Sequence, residues 1–166
     1  MVYLDHNSCD LPDNDGRKFS GEIPSDVDHR FDKFKVYQSV EKADELRKQV
    51  EVFCLEVDRE ISELESYSKR AKINFLEATK IARSIKARSI WMGAQNVKKA
   101  AFFVIDACLG FHEESYSSAV YGLRNDFNGT KVKFETYLKM VFELIEKENQ
   151  QKEQKQEKLQ KPNQAL

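Results

Sequence analysis

Thr79, Arg83, Lys86 and Ile90 follow one another at intervals of three and four residues, with Ala87 alongside, so on a helix they share one face. The spacing predicts a solvent-facing stripe with two cations, Arg83 and Lys86, at its centre. A guanidinium stays protonated at physiological pH and offers donors but no nucleophilic lone pair. It can grip a carboxylate or a phosphoryl group through hydrogen bonds, but it cannot take up a group by nucleophilic attack. Of the three histidines, His6 and His29 fall in or beside a polar N-terminal arm, and His112 falls at a junction between helices. None shares the stripe with Lys86, so none is expected to act as a nucleophile there.

Other chemistry finds little support. Asp13, Asp15, Gly16 and Glu22 approximate part of a calcium-binding loop, but its first position would be Leu11, and Pro12 and Pro24 oppose flanking helices. No Cys and His spacing suits zinc, and no Gly-rich phosphate loop follows a strand, so neither metal nor cofactor is expected. Cys9, Cys54 and Cys108 have no paired spacing, which points to reduced thiols. Cys54 and Cys108 lie within apolar helical patterns and read as small core residues. Lys and Arg (27) nearly cancel Asp and Glu (28), so charge gives no reason to expect nucleic acid or an anionic membrane as partner. With no apolar run near the roughly 20 residues of a membrane span and no apolar leader, an intracellular soluble protein is the expectation. Asn128, Gly129 and Thr130 spell a glycosylation acceptor, which without a secretory leader is read as chance.

The elements that would position the stripe are helices. Residues 1–26, with Pro12, Pro24, Gly16 and Gly21, read as a flexible arm; residues 27–148 as the folded domain; and residues 149–166, rich in Gln, Lys and Glu, as a polar tail in which a fraying helix end passes into disorder. Leu46, Val50, Phe53, Val57, Ile61 and Leu64 mark one long amphipathic helix, and Phe75, Ala78, Ala82 and Ile85 a second that carries Arg83. Val97, Ala101, Val104, Cys108 and Phe111 mark a third, closed near Gly110. A fourth and longest carries Tyr116, Val120, Leu123, Phe127, Phe134, Val141 and Leu144, with loosening expected at Asn128 and Gly129. Short connections imply antiparallel neighbours. The fold class is therefore all-α, an antiparallel four-helix bundle with a short additional N-terminal helix around Phe31, Phe34 and Tyr37.

The run Arg83, Ser84, Ile85, Lys86, Ala87, Arg88, Ser89, leading into Gly93, Ala94, Gln95, Asn96, Val97 and Lys98, resembles the signature of the histidine-containing phosphotransfer family. That signature reads His-x-x-Lys-Gly-Ser-Ser, followed shortly by Gly-Ala-Gln. The resemblance covers about residues 30 to 146, is carried upstream by Phe53, Asp58, Arg59, Leu64 and Phe75, and continues through Val97, Lys98, Cys108, Phe127, Lys131 and Lys133. Gly-Ala-Gln followed by Val-Lys is the plant flavour. On this resemblance Arg83 stands where the family has its phosphate-accepting histidine, Lys86 keeps the positive partner, Ala87 replaces a glycine, and Arg88 and Ser89 replace a serine pair.

The resemblance implies a pseudo-phosphotransfer protein, unable to accept phosphate. It would bind receiver domains of hybrid histidine kinases and response regulators through Thr79, Arg83, Lys86, Ala87, Ile90 and Gln95, as a monomer without cofactor, and dampen cytokinin signalling in cytoplasm and nucleus. An alternative is a helical scaffold that has lost receiver binding, favoured by bulky Arg88 and Trp91 at the docking edge. A third reading, an active carrier using another histidine, predicts acid-labile label on the chain, and none is expected.

Overall fold

The structure is a computed structural model that describes residues 40–161, all helix apart from three tight connections. Helix α1 spans Val40–Ser68, α2 Phe75–Met92, α3 Gln95–Leu109 and α4 Glu113–Gln160. Each helix packs against its neighbours in sequence, and α4 closes the ring on α1. Contacts at Glu60–Ser84 and Glu56–Arg88 make α1 and α2 antiparallel, and those at Leu64–Tyr116 and Asp58–Arg124 do the same for α1 and α4. The result is an all-α, antiparallel four-helix bundle. The expected short N-terminal helix, the arm at residues 1–26, Cys9, His6, His29 and the calcium-like run all lie outside the described residues.

The apolar stripes read from sequence form the core. Leu46, Val57, Ile61, Leu64, Ala82, Ile85, Val97, Leu123 and Phe134 are entirely withdrawn from solvent. Phe53 of α1 meets Phe127 and Phe134 of α4 at 6.5 and 5.8 Å between ring centroids, in the inclined geometries that aromatic rings favour. Tyr116 is buried whole, which is tolerable because its hydroxyl donates to the Leu64 carbonyl oxygen at 2.8 Å.

Local chemistry sets the helix ends. Asn74 caps α2 by accepting from the Glu77 amide at 3.2 Å. Gly93 ends α2 at φ 70, a left-handed conformation, and the Ala94 amide then reaches back to the Ser89 carbonyl at 2.9 Å. Ala94 is buried and Gln95 begins α3, so Gly-Ala-Gln is the tight corner joining two antiparallel helices.

Three expectations are corrected. Phe111 is not on the α3 stripe: it lies past the helix end at φ 54, is 72% exposed, and leans edge-on against Phe75. The left-handed residue of that corner is thus Phe111, while Gly110 has φ −82, and a Cβ there would meet the His112 ring at 2.8 Å unless that exposed side chain turned aside. Asn128 and Gly129 do not break α4, which runs through them without interruption. The helix end expected to fray from about 149 instead runs on as α4 to Gln160, with its last fifteen residues exposed. Gln, Lys and Glu are strong helix formers, so that overhang follows from propensity instead of packing.

Candidate docking site on the second helix

Helix α2 buries Ala78, Ala82 and Ile85 and thereby fixes which residues look outward. Arg83 lies at mid-helix, is exposed, and makes no hydrogen bond or ion pair among the described residues. Ala87 and Ile90 are exposed one and two turns on. Lys86 is half-buried, with its ammonium 5.6 Å from the centre of the Phe102 ring on α3, a cation–π contact that holds the charge at the α2–α3 edge. Gln95 is half-buried at the first turn of α3. The ridge thus unites Arg83, Lys86, Ala87 and Ile90, with Gln95 beyond its C-terminal end. Thr79 departs from expectation: it is 9% exposed, and its hydroxyl donates to the Phe75 carbonyl at 2.7 Å. It belongs to the packed side of α2, because its methyl and back-bonded hydroxyl suit the α2–α3 interior.

Arg88 and Trp91 differ in kind. Trp91 is 81% exposed beside the ridge. Arg88 is folded back onto α1, with Nε 3.4 Å from Glu60 Oε1 and a terminal nitrogen 3.4 Å from Glu56 Oε2. Glu60 is only 7% exposed, and its Oε1 also accepts from Ser84 Oγ at 2.6 Å. A carboxylate so enclosed needs a cation and donors, and Arg88 and Ser84 supply them from α2. This α1–α2 brace was missed in the sequence, though a signal existed: Glu60 sits among Val57, Ile61 and Leu64 on an otherwise apolar stripe. A second brace joins α1 to α4, where Arg124 donates to Asp58, to Ser62 at 3.0 Å and to both oxygens of Glu65 at 2.8 and 3.1 Å.

No family model matches the chain. The chain is 29% identical over 91 residues to histidine-containing phosphotransfer protein 2 of rice (Oryza sativa subsp. japonica), a match covering 55% of this chain and 61% of that relative. A histidine-containing phosphotransfer protein from maize superposes with a TM-score of 0.62 at 25% identity, covering 72% of this chain and 87% of that one. Another from Medicago truncatula gives 0.60 at 16% identity, covering 75% and 82%. In sequence over those 91 residues, and in fold across the bundle, the chain is similar to histidine-containing phosphotransfer proteins. The exposed face of α2 is the part of this chain that the motif marks, and Arg83 is its central side chain.

The remaining reactive groups in the chain are quiet. Burial pushes the Cys54 thiol up from its ordinary 9.0 to about 11, only partly offset by Lys131, and burial likewise raises Cys108. Both therefore stay protonated at neutral pH and serve as small packing residues. His112 caps the start of α4 through its backbone and is remote in sequence from the α2 ridge. Among the described residues no group of three or more His, Cys, Asp or Glu is placed to hold a metal, and no helix is long and apolar enough to cross a membrane.

Proposed function

We propose that this chain is a pseudo-phosphotransfer protein: a bundle that docks on receiver domains of hybrid histidine kinases and response regulators and does not accept their phosphoryl group. The observation that carries the reading is Arg83, exposed at the middle of α2 with its guanidinium unengaged among the described residues. In a phosphotransfer bundle that position calls for an imidazole with a free nitrogen, and a guanidinium has none. It can instead donate to the acceptor aspartate or to phosphoryl oxygens. Lys86 adds charge, Ala87 and Ile90 add a low, partly apolar floor, and Gln95 sits at the edge. By occupying receivers without turnover, the protein would lower phosphorelay flux, as in cytokinin signalling, in cytoplasm and nucleus. The contact would be small and transient, about 1,200 Å² of total buried surface or less.

The test is a titration of wild type and Arg83→Asp against a panel of receiver domains, with a radiolabelled phospho-receiver run in parallel. Binding by wild type, loss of it in Arg83→Asp, and no label on the chain are expected. Equal binding by both proteins, or acid-labile label on wild type, overturns the reading.

A further inference from the structure

Helix α3 is short and carries an outer face that a solvated helix has no reason to keep. Phe102 is 51% exposed, Phe103 62% and Leu109 60%, and the two phenyl rings stand against each other at 6.1 Å. Large apolar side chains grouped on one exposed face mark a surface that is covered by something. Lys99 lies three residues before Phe102, and Asp106 three residues after Phe103. Both are exposed, and neither makes a side-chain hydrogen bond or ion pair among the described residues.

The order Lys99, Phe102, Phe103, Asp106 is symmetric in size and antisymmetric in charge about the midpoint between the two phenylalanines. At helical spacing all four fall within one face of α3. Two copies of such a face, laid antiparallel about a two-fold axis through that midpoint, set Phe102 against the second copy's Phe103 and Lys99 against the second copy's Asp106, each pairing occurring twice. A self-complementary patch of this kind is what a two-fold contact requires. A basic partner would leave Lys99 facing like charge, and an acidic one would do the same to Asp106. The face is matched in both apolar centre and flanking charge by itself.

We infer that α3 is a homodimerisation face, in which two copies pair antiparallel through Phe102 and Phe103 and are set in register by reciprocal Lys99–Asp106 ion pairs. The inference does not depend on receiver docking, and it departs from the monomer expected from sequence. One helix pair buries less than the roughly 1,200–2,000 Å² of a standard stable interface, so the dimer is weak and concentration-dependent. The ion pairs sit at the rim and fix register more than strength.

Charge reversal provides the test, using sedimentation equilibrium of the full chain over a concentration series. Wild type should pass from one copy to two. Asp106→Lys and Lys99→Asp should each weaken self-association by about tenfold or more, because each sets like charges opposite one another twice. An equimolar mixture of the two single variants should associate again, since both cross-pairs then become opposite in sign, and the double reversal should self-associate as wild type does. All these positions are exposed, and unchanged thermal melting of each variant confirms that folding is not the variable. Wild type that stays monomeric at every concentration, single reversals that associate as wild type does, or a mixture that fails to associate would each overturn the inference.

Discussion

Arg88 of α2 and Glu60 of α1 meet at 3.4 Å across the interface between the first two helices, and the Ser84 hydroxyl shares the same carboxylate oxygen. The second oxygen of Glu60 has no partner among the described residues. The brace therefore holds a nearly buried charge with little redundancy.

Arg88→Ala should lower the unfolding free energy by about 1–2 kcal/mol, below the cost of breaking a fully buried pair because the arginine is partly solvated. Glu60→Gln in the Arg88→Ala background should recover part of that loss, since the uncompensated charge is gone. Urea denaturation of the two variants checks both statements. A loss in Arg88→Ala that Glu60→Gln does not reduce would show that the carboxylate is not what Arg88 serves.

Arg83→His supplies an imidazole but leaves Trp91 and the Ala87 methyl group beside it. Because Arg88 is drawn back to α1, Trp91 is the main obstacle to a close approach. Transfer from a phosphorylated receiver should be slight in Arg83→His and about tenfold faster in Arg83→His with Trp91→Ala. Initial rates of label incorporation decide it, and a fully active single variant would remove crowding from the account.

Gly93→Ala places a side chain at φ 70, where an L-residue is strained, and should destabilise the bundle by about 1–2 kcal/mol. Gly129→Ala, in mid-helix with open space around the added methyl, should instead stabilise by about 0.5–1 kcal/mol. Thermal melts of the pair should move in opposite directions.

Cys54, with its thiol raised from 9.0 to about 11 by burial, makes stability fall on the alkaline side. Below the unfolded-chain value both states carry the proton and the contribution is whole. As pH climbs towards 11 the unfolded chain ionises first and is favoured. Cys54→Ser should show a shallower decline over that window, and at neutral pH the wild-type thiol should alkylate more slowly than a free cysteine.

The four helices were legible because their apolar residues recur at helical spacing, whereas Gly93 stands in the sequence only as part of a motif, and its left-handed backbone came from the structure. Arg83 could be placed on an outward face for the same reason. Thr79 could not: a threonine is small enough to be packed or solvated, and periodicity left it one position from the boundary. The Glu60 brace was hidden because it depends on which residues of two antiparallel helices come level. Phe111 followed the α3 period by one turn too many, since the stripe does not record that Gly110 turns the chain. The polarity of the tail suggests a fraying helix end but does not say how far it runs, and Lys, Glu and Gln sustain it to Gln160 even without a core.

The overhang of α4 beyond Ile145 has a kinetic counterpart. Fifteen residues at about 1.5 Å each project some 22 Å past Ile145, the last buried side chain among the described residues, and all fifteen are exposed. Their amide protons should exchange with deuterated solvent through local unwinding, while those near Phe127 and Phe134 wait for the whole bundle to open. One continuous helix thus contains two regimes of protection, and their border falls where apolar side chains stop.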